Sequence, residues 1–462
     1  MRRRSSYCPM NKCKWFNFPF LEPVTSRWKS RRGVRKWLFP RLTPQITKLL
    51  RVTERSKGVG TAPAVIRVSF KKVTFFIGGG HSPFASLTRA MSVCRLRLYT
   101  RTLSRLRCPW VCLLTLIFSV ACDSSEAHVV ASRIDLGRHL FFDPQLSIDG
   151  KRACGTCHEQ EKAFSDGFPR AVGHAADLLP RNTLSLVNVG LRQALLWTGD
   201  TELSLQTQLR TPLFGTSPPE MGMGGKEELL LNRLAVDPLY RHAFGEAFPS
   251  DMKPINLENM GEAMVAFQQQ IVSLESPYDR YLAGDQRALS PAAIRGMSLF
   301  FNEPQNCFRC HSGTDLNEVA DPAGRPVSTV GRFNTGLYNV DGHGAYPEFE
   351  QGRISETGLP EDMGVFLVPM LRNLPETAPF MHDGSVPSLE AVLDNYAAGG
   401  RLIKDGPFAG DGRTNPYKHA LIAGFSLDAS EREDLLAFLR SLSDPSVLVR
   451  PDLSDPFRSE TD

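Results

Sequence analysis

The sequence predicts an all-α protein made of two similar domains, and three observations support that fold class. A segment with the pattern Gly-x-x-Leu-Phe-Phe occurs twice, at 137–142 and at 296–301, and is typical of an amphipathic helix. Each copy precedes a paired-cysteine segment and, further on, a second predicted helix, at 255–273 and at 426–442. Strand-like alternation is sparse. Long Pro- and Gly-rich segments are predicted as loops, at 210–225, 320–365 and 399–417.

Helix-capping signals support the second copy of this repeat. Ser290-Pro291 provides an N-cap and a first-turn proline for the helix that carries the second Gly-x-x-Leu-Phe-Phe pattern. Ser426 is predicted to begin the cap of the last helix, with Glu431 and Glu433 in its early turns, where the helix dipole favours acidic side chains.

Composition and charge exclude several classes of protein. Of 462 residues, 42% are hydrophobic and 22% are charged, which excludes collagen, wholesale disorder and a polytopic membrane protein. The net charge of +5 averages two unlike parts. Residues 1–107 carry 25 Lys and Arg against 2 acidic residues, whereas the chain from Cys108 onward carries 29 against 47. The part that can fold is acidic, so we expect no nucleic-acid partner.

Residues 91–122 have the pattern of an export signal. Five arginines precede an uncharged run at 108–121, which is too short for an ordinary membrane span. Ser119-Val-Ala-Cys122 resembles a bacterial lipoprotein box, so Cys122 is either acylated and anchored to a membrane or removed near an ordinary cleavage site. Both alternatives predict a periplasmic protein.

Residues 1–90 form a basic extension that is too long and too basic for a signal sequence. Met91 begins a stretch of normal signal length, so we expect translation to begin there and the extension to be absent from the mature protein. A genuine basic arm or a transit peptide are the alternatives.

Four cysteines follow Cys122, and they form two copies of one pattern. The copies are Cys154-Gly-Thr-Cys157-His158 and Cys307-Phe-Arg-Cys310-His311. Cys-x-x-Cys-His is typical of c-type haem attachment, in which both thiols bond to the porphyrin and the adjacent histidine binds the iron.

Zinc binding and two short disulfides are the alternatives for these cysteines. The pairs lie 153 residues apart, much further than the halves of a zinc ribbon, and a redox disulfide does not require a histidine after both copies. The sequence therefore predicts two cytochrome c-like domains, each with one covalently bound c-type haem. Their predicted limits are 123–280 and 281–450, followed by a tail at 451–462.

Further motifs occur in a specific order between and after the cysteine pairs. They are Leu136-Gly-Arg-His-Leu-Phe-Phe-Asp143, Arg181-Asn182-Thr183, Trp197-Thr-Gly199, Glu220-Met221-Gly222, Leu371-Arg-Asn373 and Ala378-Pro-Phe-Met-His-Asp-Gly384. With them the chain resembles the bacterial di-haem cytochrome c peroxidase/MauG family, from about Ile134 to Leu442. The resemblance implies that peroxide reacts at the first haem, that the second haem handles electrons, and that a calcium ion lies between the domains.

The same resemblance implies roles for single residues. His158 and His311 are the implied iron ligands. Glu220 is the implied distal acid–base carboxylate, and Gln208 is an implied distal glutamine. The stretch from Gln208 to Glu220 is two residues longer than the usual pattern. Trp197, the only tryptophan after Cys122, matches a tryptophan between the haems. The side chain of Asn182 and the carbonyls of Thr377 and Pro379 match calcium ligands. From the residues alone, Glu220 could equally be an exposed loop acid and Trp197 a core residue.

The sixth ligand of the second haem distinguishes two branches of the family. Electron-donating members have a methionine where this chain has Tyr396, and a hard tyrosine oxygen stabilises ferric or higher-valent iron. Tyr396 therefore indicates the MauG-like branch, whose members oxidise residues of a partner protein. The alternative is that Tyr396 is a core residue and that Met370 or Met381 binds the iron. His174, in a loop, either caps the first haem or is a solvated loop residue.

We therefore expect an oxidoreductase that uses hydrogen peroxide and oxidises a protein partner. An ordinary peroxidase that draws electrons from a small cytochrome, and a non-enzymatic di-haem electron carrier, are the alternatives. The acidic mature chain fits docking to a basic cytochrome, although it also fits simple solubility.

Overall fold

The computed structural model describes residues 132–198 and 203–458, together with five short strands between Ser30 and Gly78. The chain divides into two units, Met1–Cys112 and Leu113–Asp462. In the first unit Ser30–Arg31 pairs with Val34–Arg35 in an antiparallel manner. A separate antiparallel sheet has three strands, Arg51–Thr53, Val65–Phe70 and Val73–Gly78. The predicted export signal and the anchor at Cys122 lie outside the described residues.

Helices provide most of the regular structure in the described part of the second unit. The α-helices are 132–142, Cys154–Cys157, Leu205–Gln208, Arg210–Phe214, Glu227–Val236, Pro238–Ala247, Leu257–Gln268, Pro277–Leu282, Pro291–Phe300, Ile354–Thr357, Leu389–Ala397 and Ala429–Arg440. Short 3-10 helices lie at Pro144–Leu146, Gln160–Lys162, Val189–Leu191, Cys307–Arg309, Pro360–Asp362, Leu374–Glu376, Gly412–Thr414, Pro445–Leu448 and Pro451–Leu453. No helix among the described residues combines the length and apolar character needed to traverse a lipid bilayer.

Strands in this unit are short, as the sequence predicts. Three antiparallel pairs join Val319–Ala320 with Pro326–Ser328, Arg332–Phe333 with Phe366–Leu367, and Leu402–Ile403 with Gly410–Asp411. Two of the predicted loops, 320–365 and 399–417, therefore contain strands, and the first five residues of the predicted loop 210–225 form the helix Arg210–Phe214, which buries Leu213. The helix-rich fold class is confirmed.

The ends of two predicted helices need correction. The helix predicted at 255–273 is Leu257–Gln268, and the helix predicted at 426–442 is Ala429–Arg440. The cap of the latter is Asp428, not Ser426. The side chains of Asp428 and Glu431 each accept a hydrogen bond from the other residue's backbone N–H. Ser426 is followed three residues on by Ala429, whose methyl group cannot accept such a bond. Ser290 caps its helix as predicted.

The repeated glycine of Gly-x-x-Leu-Phe-Phe is required for a close crossing of two helices. A Cβ atom on Gly137 would lie 1.9 Å from the carbonyl oxygen of Ala263, and one on Gly296 would lie 1.8 Å from that of Asp434. The helix 132–142 therefore crosses Leu257–Gln268 at backbone contact, and Pro291–Phe300 crosses Ala429–Arg440 in the same way. The repeat in the sequence encodes one helix crossing used twice.

We expect Gly296→Ala to destabilise the protein by about 1–3 kcal/mol or more, because the added methyl group must displace a backbone carbonyl rather than a flexible side chain. Gly245→Ala is the matched control: it also lies inside a helix, nothing lies within 4 Å of its added Cβ, and alanine favours the helix. Denaturant unfolding of the two holoproteins measures the difference. Equal stability of the two variants would contradict this packing.

The end of the chain returns to the first half of the molecule. Val447 and Leu453 are fully buried in a cluster with Phe141 and Phe267. The side-chain amide of Gln160 donates to the carbonyl of Val447 at 3.0 Å and to that of Arg450 at 2.9 Å. The segment that follows the last helix thus packs on the half of the second unit that contains the first Cys-x-x-Cys-His segment, which no local sequence pattern indicates.

Candidate haem sites and the residues between them

The first Cys-x-x-Cys-His segment lies at a cavity of about 540 Å³. Cys154–Cys157 forms one helical turn, in which the Thr156 hydroxyl accepts from the Ala153 amide at 2.9 Å. His158 follows directly, and its Nδ1 lies 2.8 Å from the Phe164 carbonyl. This contact fixes the ring and leaves Nε2 for the cavity, which is the arrangement that a metal-binding histidine requires.

The second segment repeats this geometry at a cavity of about 190 Å³. Cys307–Arg309 forms a 3-10 turn, and Nδ1 of His311 lies 2.9 Å from the Leu316 carbonyl. Cys307, Cys310 and His311 all line this cavity. Two equivalent histidines, each held by a backbone carbonyl a few residues downstream, are the repeated unit of the site.

Aromatic side chains form an equivalent wall in each cavity. The ring centroid of Phe141 lies 6.5 Å from that of His158, and the centroid of Phe300 lies 6.5 Å from that of His311. Phe141 and Phe300 line the first and second cavities, respectively. An apolar wall beside a neutral imidazole and two thiols fits a porphyrin ring.

The protonation states of the candidate ligands also fit haem. Burial lowers the pKa of His158, and it lowers the pKa of His311 to about 4, so both rings are neutral as iron ligands must be. Burial likewise raises the pKa of Cys154 and of Cys307 to about 12, so these thiols are protonated and inert in the absence of a bonding partner.

Neither alternative for the cysteines is supported. Cys154, Cys157, Cys307 and Cys310 are free thiols and form no disulfide. Within 132–198 and 203–458, no three His, Cys, Asp or Glu side chains converge in a group that could hold a metal ion such as zinc. The residues present fit two c-type haems.

Glu220 lies at the first cavity, where the sequence predicts the acid–base group. It is half-buried, and burial raises the pKa of its carboxyl group above the ordinary value. Its backbone is fixed on both sides: its carbonyl accepts from the His174 amide at 2.8 Å, and the amide of Met221 donates to the Pro212 carbonyl at 3.0 Å. A desolvated carboxylate in a fixed loop is suited to proton transfer.

Gln208 also lines the first cavity, at the end of the helix Leu205–Gln208. His174 does not line it. The His174 ring packs beside Gly222, where an added Cβ would lie 2.7 Å from the imidazole, and its amide holds the Glu220 loop. In this structure His174 supports the loop that carries Glu220.

Trp197 lines both cavities. Only 8% of its surface is exposed, and its indole N–H donates to the Asn182 carbonyl at 2.8 Å. Its own carbonyl accepts from the Leu367 amide at 2.6 Å. Trp197 is a core residue, as the simpler interpretation of the sequence holds, and it is also the aromatic side chain that the two cavities share.

Tyr396 lines the second cavity from the helix Leu389–Ala397. Burial raises the pKa of its phenol well above the ordinary value. Met381 lines the same cavity, whereas Met370 does not: its sulfur accepts from the Arg192 guanidinium at 3.1 Å in the cluster around Phe141. Of the three candidate sixth ligands, Tyr396 and Met381 face the second cavity.

The candidate calcium ligands come from two distant parts of the chain. The backbone N–H of Asn182 donates to the His382 carbonyl at 2.7 Å. This bond brings Asn182 beside the segment that contains Thr377 and Pro379. The side-chain Nδ2 of Asn182 donates to the Phe168 carbonyl at 2.8 Å, so its Oδ1 is left as a possible ligand. Neutral oxygen donors of this kind suit a hard cation.

Two polar side chains of the cavities received no role from the sequence, although one of them, His382, lies in the motif Ala378–Gly384. Arg192 lines the first cavity with its Nε unpaired and buried, and burial lowers the pKa of its guanidinium to about 10. His382 lines the second cavity with Nε2 unpaired and buried. An unpaired buried donor in each cavity fits the carboxylates that a haem carries on its edge.

The raised pKa of Glu220 gives a pH dependence to the reaction with peroxide that the sequence predicts. The base form is the carboxylate, so we expect the rate to rise with pH and its midpoint to lie above about 4.3, the ordinary value for Glu. Stopped-flow rates between pH 4 and 8 measure this midpoint, and Glu220→Gln should abolish it. A midpoint at or below the ordinary value, or one that persists in Glu220→Gln, would contradict the assignment.

Comparison with known proteins identifies the family of this chain. A family model described as di-haem cytochrome c peroxidase matches residues 131–287. The chain is 34% identical over 322 residues to the methylamine utilization protein MauG of Methylorubrum extorquens, covering 70% of this chain and 81% of that protein. It is 32% identical to the cytochrome c551 peroxidase of Pseudomonas aeruginosa, covering 59% of this chain and 74% of that protein.

Solved structures give the same result. The crystal structure of a MauG-like protein associated with microbial copper homeostasis is 42% identical, with a TM-score of 0.67, and the match covers 71% of this chain and 93% of that one. The di-haem peroxidase BthA of Burkholderia thailandensis shares the fold, with a TM-score of 0.52 at 23% identity.

The protein is a peroxide-related oxidoreductase with two haem sites. This conclusion follows from the helix-rich fold, the two cavities with Cys-x-x-Cys-His segments and these relatives. The chain belongs to the di-haem cytochrome c peroxidase/MauG family.

Proposed function

We propose that this protein reacts with hydrogen peroxide at the first haem and uses the oxidising equivalents to modify residues of a partner protein. Cys154, Cys157 and His158 hold the first haem, and Cys307, Cys310 and His311 hold the second. When bound, haem would supply a redox-active iron at which peroxide can react and which can store oxidising equivalents. The single observation that carries the proposal is that Trp197 lines both cavities, the one with Glu220 and the one with Tyr396.

Glu220 is the proton-transfer group of the first site. Cleavage of peroxide requires that one proton move from the near oxygen to the far oxygen, and a carboxylate within reach of both can take the proton and then return it. The raised pKa of Glu220 favours the first half of this transfer, because a less acidic carboxyl group is a stronger base and takes the proton from the near oxygen more readily. Gln208, on the same cavity, offers an amide that can orient the peroxide.

Trp197 connects the two sites. Its indole N–H is held by the Asn182 carbonyl and its backbone by Leu367, so the ring has a fixed position. Both cavities share this buried aromatic ring, and the ring can lose an electron transiently. It divides the path between the two cavities into two shorter electron-transfer steps. We propose that oxidising equivalents pass by way of Trp197 to the second site.

Tyr396 supports the MauG-like branch over an ordinary peroxidase. A hard phenolate ligand on the second iron disfavours the ferrous state, in which a small cytochrome would deliver electrons. The 42% identity to a MauG-like protein associated with microbial copper homeostasis supports this branch. The resemblance to the branch implies a protein substrate, and we propose tryptophan as the residue that is oxidised. Because Met381 also lines the second cavity, an ordinary peroxidase with a methionine ligand and a cytochrome donor is the second candidate function.

Two further parts of the proposal concern calcium and location. Asn182, Thr377 and Pro379 would hold a calcium ion, which would also fix the Asn182 carbonyl that accepts from the Trp197 indole N–H. The charge distribution around residues 91–122 supports export to the periplasm, with lipid anchoring through Cys122 as one of its two forms.

Replacing Tyr396 by Phe tests the branch. We expect loss of the low-spin ferric signal of the second haem in electron paramagnetic resonance (EPR), because phenylalanine has no atom that can bind iron. Tyr346→Phe is the control, since Tyr346 lines the same cavity but its hydroxyl donates to Asn334 at 2.9 Å. A low-spin signal unchanged in Tyr396→Phe and lost in Met381→Leu would favour the ordinary peroxidase.

The function is tested on the purified holoprotein. We expect a high-spin ferric component in its visible spectrum and the loss of that component when peroxide is added. Mass spectrometry of a co-purified or co-expressed partner should then show hydroxylated tryptophan after peroxide is added. Two fully low-spin haems that are inert to peroxide would refute the proposal, and rapid oxidation of a reduced small cytochrome without modification of any partner would support the second candidate.

A further inference from the structure

A buried tyrosine–carboxylate pair lies beside the second cavity and has no part in the function described so far. The Tyr338 hydroxyl donates to Oδ2 of Asp383 at 2.5 Å. Tyr338 is 3% exposed and Asp383 is 5% exposed. The other carboxylate oxygen of Asp383 accepts from the Ser385 amide at 3.1 Å. The phenol therefore has one fixed proton acceptor, shielded from solvent.

Aromatic rings connect this pair to the second cavity. The Tyr338 centroid lies 5.4 Å from that of Tyr346, which lies 6.1 Å from that of His382. The His382 ring stacks on Phe366 at 3.6 Å between centroids, with 10° between the ring planes. Tyr346, His382 and Phe366 all line the second cavity, so one ring separates Tyr338 from the cavity wall.

The same rings are tied to Trp197. Trp197, Tyr338, Tyr346 and Phe366 belong to one buried cluster. Leu367, next to Phe366, donates its amide to the Trp197 carbonyl, and the indole of Trp197 is bound to Asn182, whose own amide donates to His382. The aromatic group that the cavities share and the tyrosine–carboxylate pair are thus parts of one rigid hydrogen-bonded and packed unit.

We propose that Tyr338 and Asp383 form a proton-coupled redox pair, in which Tyr338 gives one electron toward the second haem site while its phenolic proton moves to Asp383. This inference rests on the proposed function, which supplies the oxidant. It adds a residue at which an oxidising equivalent can reside on the protein between the reaction with peroxide and the oxidation of a partner.

The step balances with the oxidant named. The O–H bond of Tyr338 breaks, a new O–H bond forms on Oδ2 of Asp383, and one electron leaves the ring. The products are a neutral tyrosyl radical and a neutral carboxylic acid, so no buried charge is created. The oxidant is hydrogen peroxide, which takes up two electrons and two protons to give two molecules of water. Tyr338 supplies one of those electrons and the haem sites, when haem is bound, would supply the other, while the two protons come from solvent.

Both the location and the acid–base properties of Tyr338 fit this role. Burial, with the nearby Asp383 carboxylate, raises the pKa of Tyr338 to about 12, so the phenol keeps its proton until the ring is oxidised. A second pair has the same geometry: Tyr240 donates to Oδ2 of Asp143 at 2.5 Å and is fully buried. Tyr240 packs among the helices of the first half against Phe244, which lines neither cavity, whereas Tyr338 packs against Tyr346, which lines the second. It is therefore a matched control for the hydrogen bond without the position.

The test is EPR spectroscopy of the holoprotein, frozen within seconds of mixing with hydrogen peroxide and without an electron donor. We expect a tyrosyl radical signal in the wild-type protein, narrowed when tyrosine is ring-deuterated. Tyr338→Phe should lower the signal at least tenfold, and Asp383→Asn should lower it similarly because an amide accepts the proton poorly. Tyr240→Phe should leave the signal unchanged.

Incorporation of a fluorotyrosine at position 338 tests the site without removing the hydrogen bond. We expect fluorine hyperfine splitting in the radical signal. A signal without that splitting, a signal that persists in Tyr338→Phe, or peroxide consumption without any tyrosyl signal would overturn the pair while leaving the proposed function intact. A wild-type protein whose haem spectrum does not respond to peroxide would overturn both proposals.

Discussion

Glu220→Gln should slow the reaction with hydrogen peroxide by about 10²- to 10⁴-fold, the usual contribution of a positioned acid–base group. Glutamine has nearly the same size as glutamate but cannot take up and return a proton. The loss should fall on the rate of the reaction and leave haem content and the visible spectrum of the resting protein unchanged, because Glu220 belongs to neither Cys-x-x-Cys-His segment. Stopped-flow measurement of the haem absorbance after peroxide is added gives the rate.

Glu348→Gln is the matched control for this prediction. Glu348 also lines the first cavity, but it is exposed to solvent, whereas Glu220 is half-buried in the loop that His174 supports. We expect the control to react at the wild-type rate. If Glu220→Gln retains the wild-type rate as well, or if both variants are equally slow, proton transfer does not depend on Glu220.

Replacing Cys154 and Cys157 together with alanine should remove the first haem and, with it, the entire reaction with peroxide. In the proposed attachment, covalent bonds to both thiols would retain the porphyrin, and without them the cavity of about 540 Å³ would lose the ring that fills it. Intact mass spectrometry should find one porphyrin fewer than in the wild-type protein, and EPR should find only the signals of the second haem.

The equivalent change at Cys307 and Cys310 is the internal control. It should also remove one porphyrin, but it should leave a haem whose spectrum responds to peroxide and remove the low-spin signal that Tyr396 is expected to give. The two variants therefore separate the roles of the sites. A wild-type protein with no added tetrapyrrole, or two variants with identical spectra, would contradict the assignment of the two sites.

Local sequence patterns predicted the parts of the protein whose geometry depends on a few adjacent residues. The spacing of Cys154, Cys157 and His158 determines where a porphyrin can be attached, and the second copy repeats it. Gly137 and Gly296 mark the two helix crossings. A Cβ atom at either position would lie 1.8–1.9 Å from a carbonyl oxygen of the crossing helix, so only glycine permits this contact. Helix ends were less certain: both Ser426 and Asp428 can cap, and the reciprocal bond with Glu431 decides between them.

Other features depend on which distant segments meet, and only the tertiary structure decided them. Val447 and Leu453 pack on the first half of the molecule, and His382 reaches Asn182 through one backbone hydrogen bond. The sequence showed that Tyr396, Met370 and Met381 could each bind iron, and the fold directs Tyr396 and Met381, but not Met370, toward the second cavity.

The sequence by itself determined the chemistry that each segment can perform, since thiols, imidazoles and carboxylates carry their reactivity with them. The tertiary structure decided which of these groups share a cavity, and so gave Glu220 its raised pKa and gave Trp197 a place at both sites. The physical reason is that desolvation and proximity are properties of packing between residues far apart in the chain. No local pattern specifies them.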